Sequence, residues 1–145
     1  MHFFTFGGAS VGPEGEKRNF HEAVSRLCEQ ARQFGMFEKI WGMTEQDLKH
    51  DPEFWNQHGA WCEKNPRGYG YWVWKFYLIG KILESMPEGE LLLYLDCGCE
   101  LNVKAKEKML HFRQLARLHK IIGTSTNSND LSHTKRDLGE FCVIF

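Results

Sequence analysis

Residues 89–96 read Gly-Glu-Leu-Leu-Leu-Tyr-Leu-Asp, an unbroken apolar run between a glycine turn and an aspartate. A short apolar run with such borders is typical of a strand that is buried on both faces of a parallel sheet. We therefore expect residues 91–95 to form a central strand. Asp96 would then stand at the carboxyl end of that strand, where open parallel sheets bind their ligands.

Three further apolar runs predict strands, and amphipathic stretches between them predict helices. The strands are His2–Phe6, 38–43 and 120–124; the helices are 16–34, one from Pro52 to about residue 65, 72–86, 104–119 and a last one over 134–141. Asp51 before Pro52 resembles a helix cap. The inward stripe of helix 72–86 is expected to be Trp72, Phe76, Ile79, Leu83 and Met86. Leu78 and Ile82 are expected to widen it, so that little of this helix faces water. Strands that alternate with helices indicate an α/β fold, a mainly parallel Rossmann-like sheet flanked by helices, in one domain over residues 1–145.

The bulk composition excludes several classes of protein. The net charge is −1 with acids and bases interspersed, which argues against binding to nucleic acid or to an anionic membrane. Neither a signal peptide nor an apolar stretch of about 20 residues is visible, so we expect a cytoplasmic protein without a transmembrane segment. The five cysteines are expected to be free thiols, and Cys97 and Cys99 lack the second ligand pair of a structural zinc site.

Asp96 is the first candidate for chemistry. A carboxylate at the end of a buried strand is costly unless a partner neutralises it. A Mg²⁺ or Mn²⁺ ion that carries a nucleotide diphosphate would do so, because such an ion needs only one or two protein carboxylates. Capping of the following turn explains Asp96 equally well. Glu100 would lie about 13 Å further along an extended chain, too far to share the ion unless Gly98 turns the chain back.

The second candidate is Arg67-Gly68-Tyr69-Gly70-Tyr71-Trp72-Val73-Trp74-Lys75. Its two glycines precede a helix N-terminus, so backbone N–H groups and the helix dipole would favour an anion there. Lys75 stands in the first helical turn, where the dipole disfavours a cation, and a phosphate between Arg67 and Lys75 would resolve that conflict. The alternative is a plain turn followed by a lysine whose charged end reaches solvent.

These two segments, at this spacing, resemble a family of capsule- and glycan-building glycosyltransferases. Its members show Arg-Gly-x-Gly-x-Trp-x-Trp-Lys-Pro, then a strand that ends in Asp-Ala-Gly-Cys-Glu. The opening residues 5–8 (Thr-Phe-Gly-Gly) and residues 134–137 (Thr-Lys-Arg-Asp) are also similar to family segments.

The resemblance implies a GT-A fold, a nucleotide-diphospho-sugar donor, a glycan acceptor, hexosyl or deoxyhexosyl transfer, and Mn²⁺ or Mg²⁺. Asp96 would hold the metal, and Lys75 and Arg67 would face the diphosphate. Thr5, Gly7 and Gly8 would lie near the nucleotide. No catalytic residue is assigned.

The chain departs from the family at Phe76, which replaces the proline, at Gly98, which replaces the second acid of a strict Asp-x-Asp motif, and at His133, where tryptophan is expected. Family members also continue beyond this point into their acceptor region, so we expect the chain to lack that part.

Two other functions were considered. Residues 8–12 partly match the glycine loop of short-chain dehydrogenases, but Pro13 removes an N–H donor and Glu14 would repel a pyrophosphate, and no Tyr-x-x-x-Lys pair follows. The alternative that stays open is a truncated, non-catalytic nucleotide-binding or remnant protein on the same fold.

Overall fold

The computed structural model describes residues 1–11 and 15–123. The strands there are β1 (His2–Phe6), β2 (Ser10–Val11), β3 (Lys17–Arg18), β4 (Ile40–Met43) and β5 (Leu92–Tyr94). The helices are α1 (His21–Phe34), α2 (Glu45–Lys49), α3 (Pro52–Lys64), α4 (Gly68–Tyr71), α5 (Val73–Ser85) and α6 (Lys106–His119). These elements divide between a compact unit, Met1–Lys104, and a second unit that begins at Ala105.

Within the described residues, the main sheet has three parallel strands in the order β4-β1-β5. A small antiparallel ladder joins β2 to β3. Helices connect the parallel strands, so the prediction of an α/β protein with a parallel sheet is confirmed.

The central strand is β1, and all five of its residues are buried. Because side chains alternate along a strand, Phe4 and Phe6 face one layer while Phe3 and Thr5 face the other. Phe4 and Phe6 belong to a core cluster with residues of α2, α3 and α5, namely Leu48, Phe54, Cys62, Trp74, Leu78 and Ile82. On the opposite face, α1 places Val24 and Cys28 against β4 and beside Cys97. The sheet is therefore the middle layer of three.

The expectation that residues 91–95 form the central strand is wrong. The strand is there, shortened to Leu92–Tyr94, but it pairs with β1 alone among the described strands and is only half-buried. The expected fourth strand over 120–124 is not present at residues 120–123, and Thr124 lies outside the described residues. The predicted helix over 134–141 also lies outside them.

The helix starts were predicted more closely than the buried faces. Asp51 caps α3 by accepting from the N–H groups of Glu53 and Phe54 at 3.1 and 3.4 Å, as its position before Pro52 indicates. In α5, however, the buried residues are Trp74, Leu78 and Ile82. Trp72, Phe76 and Leu83 of the predicted inward stripe are 44%, 61% and 49% exposed. The helix is apolar around most of its circumference, so its periodicity did not select the face.

The second unit contains α6. The four residues predicted to face inward, Met109, Phe112, Leu115 and Ala116, are half-buried there. No residue of this helix is fully buried.

Candidate functional site

A cavity of about 370 Å³ lies at the carboxyl ends of β1 and β5. This volume is within the range of about 300–1,000 Å³ that small-molecule sites occupy. The lining residues come from five places along the first unit: Phe6, Gly7, Gly8, Arg18, Phe20, Arg67, Gly68, Tyr69, Trp72, Trp74, Asp96, Cys97 and Gly98. The wall is thus largely aromatic, with two arginines and one carboxylate.

Residues 7–9, which we call the glycine loop, leave β1 at the floor of the cavity. Gly7 permits a close approach, because a Cβ there would lie 2.8 Å from Val24 and 2.9 Å from the Cys97 sulfur. The loop is fixed by Glu45, whose Oε2 accepts from the Ala9 N–H at 3.0 Å and hydrogen-bonds His21 Nε2 at 2.8 Å. Burial of Glu45 tends to raise the pKa of its carboxyl, but these hydrogen bonds outweigh that effect and hold the pKa below its usual value.

Residues 68–72 form a left-handed turn that leads into α5. Five consecutive residues have φ between 52° and 82°, and three of them, Tyr69, Tyr71 and Trp72, are not glycine. Left-handed helical backbone costs a non-glycine residue roughly 1–2 kcal/mol, so other contacts must stabilise this turn. Two indoles do so: Trp61 Nε1 donates to the Gly70 carbonyl and Trp74 Nε1 to the Gly68 carbonyl, each at 3.1 Å.

Four of the five N–H groups of the turn are not available to an anion, contrary to our prediction. The N–H groups of Tyr69, Gly70, Tyr71 and Trp72 donate to carbonyls of residues 65–68 at 2.8 to 3.1 Å. The glycine-punctuated sequence is therefore used to reverse the chain and to place the rings of Tyr69, Trp72 and Trp74 on the cavity wall.

Arg67 and Arg18 are the cationic residues of the cavity wall. Arg18 forms an ion pair with Glu16. The Arg67 guanidinium has no hydrogen bond or ion pair to any described residue, and its side chain is exposed. Tyr69 adds a hydroxyl that is buried without a hydrogen-bond partner among the described residues, and burial raises its pKa to about 12. The cavity thus offers an unpaired cation to a ligand, and the phenol of Tyr69 beside it is neutral and buried.

Asp96 contacts two residues, Lys75 and Tyr94, that do not line the cavity. Its Oδ1 accepts from Lys75 Nζ at 3.2 Å and from the Tyr94 hydroxyl. The same ammonium lies 4.9 Å from the centre of the Tyr94 ring and 5.8 Å from that of Trp74, close enough for cation–π attraction. Burial, with the Asp96 carboxylate beside it, raises the pKa of Tyr94, so its hydroxyl remains a donor.

The strand-end turn, residues 96–100, is held by α1. Arg26 Nη2 donates to the carbonyls of Cys97 and Cys99, both at 3.0 Å, and Nη1 lies 3.9 Å from Glu100 Oε1. Gln30 Oε1 accepts from the Leu101 N–H at 3.1 Å and from Arg26. The oxygens of this turn therefore already serve as acceptors for a cationic side chain.

The Mn²⁺ or Mg²⁺ implied by the resemblance does not fit these residues. An ion held by Asp96 would lie next to the Lys75 ammonium, and the carbonyls of Cys97 and Cys99 in the same turn already accept from Arg26. Binding of Mn²⁺ or Mg²⁺ at Asp96 therefore stays a prediction from the family resemblance.

Of the six residues singled out in the sequence, Gly7, Gly8, Arg67 and Asp96 line the cavity. Lys75 does not line it but contacts Asp96. Thr5 is fully buried in β1 on the side of α1, and its hydroxyl has no partner among the described residues. The structure thus brings four of the six together around one cavity.

Sequence reasoning missed Arg18, Phe20, Arg26, His21 and Glu45. Arg26 lies 71 positions from Cys97 and His21 lies 24 positions from Glu45, so no local pattern marks these contacts. Glu45 carried a weak signal, because a carboxylate directly after the Thr44 cap of α2 stands where a helix favours an acid.

Comparison with models of protein families, with curated proteins and with solved structures finds no match to this chain. Within the described residues, no helix has the length and apolar character needed to cross a bilayer. The predicted cytoplasmic location stays a prediction.

Proposed function

We propose that the cavity binds a nucleotide-diphospho-sugar and that the chain is a glycosyltransferase that uses it as donor. The observation that carries the proposal is the convergence of the glycine loop, Asp96 and the unpaired Arg67 at the carboxyl ends of β1 and β5. A ligand position beyond these strand ends is the usual one in open parallel α/β sheets.

The chemistry of the wall suits the parts of such a donor. Phe20, Tyr69 and Trp72 offer ring faces for a planar base or for the apolar face of a sugar. Arg67 offers a fork of N–H donors that matches phosphate oxygens. Transfer would break the bond from the anomeric carbon to the diphosphate oxygen, which keeps the electron pair. The anomeric carbon would bond to an acceptor hydroxyl oxygen, whose proton would pass to the departing diphosphate or to water.

Isothermal titration of the full chain with UDP, GDP, ADP and dTDP tests the proposal. We expect one of these to bind, and Arg67→Ala to weaken that binding by about tenfold or more, because a hydrogen bond to a charged group contributes about 1.5–3 kcal/mol. Arg32→Ala is the matched control, since Arg32 is 61% exposed on α1 and pairs with Glu29.

The corresponding nucleotide sugars then test for turnover by following release of the free sugar or its transfer to added glycans. Turnover that depends on Arg67 supports the transferase. Binding without turnover would instead identify the alternative, a nucleotide-binding protein without transferase activity. Equal loss of binding in Arg67→Ala and Arg32→Ala would contradict the assignment of this cavity.

A further inference from the structure

We infer that this cavity binds a nucleoside diphosphate without a divalent cation, because Lys75 and Arg26 already place two cations against Asp96 Oδ1 and against the carbonyls of Cys97 and Cys99. The inference rests on the proposed function and deepens it. It departs from the expectation that the family resemblance supplied, since it makes Arg67 rather than a metal the cation that meets the phosphates.

Asp96 places a negative charge on the wall of the cavity. A carboxylate on the wall of a site for an anion is repulsive unless a cation balances it. Lys75 is that cation, with Nζ 3.2 Å from Oδ1 and its own side chain only 28% exposed. The rings of Trp74 and Tyr94 lie within 5.8 Å of the ammonium and limit where it can move. The Asp96 side chain is 65% exposed, and its charge is therefore balanced in part by the protein itself.

Two backbone carbonyls of the strand-end turn also contact a cationic side chain. Hard divalent cations prefer carboxylate and carbonyl oxygens. The carbonyls of Cys97 and Cys99 each accept from Arg26 Nη2 at 3.0 Å, and Gln30 binds both Arg26 and the Leu101 N–H. A metal bound through these oxygens would lie beside the Arg26 guanidinium and the Lys75 ammonium, and both cations would repel it.

Among the described charged residues that line the cavity, one has no ion-pair partner. Arg18 is paired with Glu16, and Asp96 with Lys75, which leaves Arg67 as the lining charge without a partner among the described residues. Among the described residues of the wall and their ion-pair partners, one positive charge is therefore in excess before any ligand binds. A diphosphate can use that charge directly.

The direction in which Asp96→Asn changes the affinity for the nucleotide distinguishes this arrangement from a metal site. If Asp96 holds a metal, Asp96→Asn weakens nucleotide binding. If Lys75 balances it, the same change removes a negative charge near the phosphates and leaves the ammonium, so binding in EDTA becomes about threefold tighter. Lys75→Met exposes the carboxylate and weakens binding about threefold, and the double variant returns to the wild-type affinity.

The experiment titrates UDP, GDP, ADP and dTDP into the full chain, once in EDTA and once in MnCl₂. The variants are Asp96→Asn, Lys75→Met and the double variant, with Lys39→Met as control, because Lys39 is exposed and precedes β4 at the opposite end of the sheet. Circular dichroism verifies that each variant is folded. We expect wild-type affinities in the two buffers to agree within about twofold.

Affinity that rises tenfold or more in MnCl₂, or an Asp96→Asn variant that binds more weakly than wild type, would overturn this inference and leave the proposed function standing. Binding of none of the four nucleotides in either buffer would overturn both proposals. The double variant also covers a Lys75→Met variant that fails to fold, because removal of both charges leaves neither one unpaired.

Discussion

Lys75 Nζ lies 3.2 Å from Asp96 Oδ1, although 21 positions separate the two residues in the chain. Lys75 belongs to the first turn of α5, where the positive end of the helix dipole disfavours a cation. Asp96 follows β5, at the same end of the sheet. The carboxylate thus compensates the lysine, and the ion pair joins the first turn of α5 to the strand-end turn beside the cavity.

Thr5→Val should leave the free energy of unfolding unchanged or raise it by up to about 1 kcal/mol. The Thr5 hydroxyl is fully buried without a partner among the described residues, and valine replaces it with a methyl group of similar size. Thr5→Ser is the matched variant, since it keeps the hydroxyl, loses the methyl group and should cost about 1 kcal/mol. Urea unfolding measures both. A Thr5→Val variant less stable than Thr5→Ser would show that the hydroxyl has a partner.

Gly70→Ala should destabilise the protein by about 2–4 kcal/mol. Gly70 has φ of 82°, and a Cβ there would lie 2.7 Å from the Cys62 sulfur. Gly80→Ala serves as control, because Gly80 lies inside α5 with no atom within 4 Å of its added Cβ. That change should raise stability by up to about 1 kcal/mol through helix propensity. Thermal unfolding compares the two, and equal effects would refute the role of the left-handed turn.

Glu45→Gln should lower stability at pH 7 by about 1 kcal/mol or more, because it weakens hydrogen bonds to the Ala9 N–H and to His21. The pKa of Glu45 lies below its usual value in the folded protein. Its contribution is therefore fully present above about pH 4.3, the unfolded value, and is lost as the pH falls through the folded pKa.

The free energy of unfolding, measured from pH 7 down to pH 3, should accordingly fall more steeply for the wild type than for Glu45→Gln. Glu29→Gln is the control, since Glu29 is 56% exposed and its pair with Arg32 is at the surface. Parallel pH curves for wild type and Glu45→Gln would exclude Glu45 as the group responsible.

Asp51→Ala should lower the free energy of unfolding by about 2 kcal/mol, and Asp51→Asn should lower it by about half as much. Asp51 caps α3 through one oxygen, and its Oδ2 accepts from Lys81 Nζ at 2.6 Å and from the Tyr77 hydroxyl at 2.8 Å. Asparagine retains the cap but removes the charge that attracts Lys81. A double-mutant cycle with Lys81→Met measures that pair, and additive effects would show that it contributes nothing.

Local signals identified much of the fold. Apolar runs located β1, β4 and β5, and the Asp51-Pro52 pair located the start of α3. The hairpin of β2 and β3 and the short helix α2 were missed, because two to five residues are too few to show a period.

The site was predictable to a similar extent. Asp96 and the glycine loop follow strands, so the rule that parallel strand ends meet at one edge places them together without further information. Arg67 was identified by its position before the glycine turn. The partner of Lys75 was not, because an exposed lysine beside a glycine turn fits a phosphate, a carboxylate or solvent equally well.

The sequence by itself determined the α/β class, the positions of these three strands and the residues that end at the cavity, because strand and helix periods, caps and glycine turns act over a few residues. Only the tertiary structure decided that β1 rather than β5 is central, that Trp74, Leu78 and Ile82 are the buried face of α5, and that Lys75 and Arg26 occupy the oxygens around Asp96. Each of these depends on contacts between residues far apart in the chain. Such contacts are selected by the packing of whole layers, which no local pattern encodes.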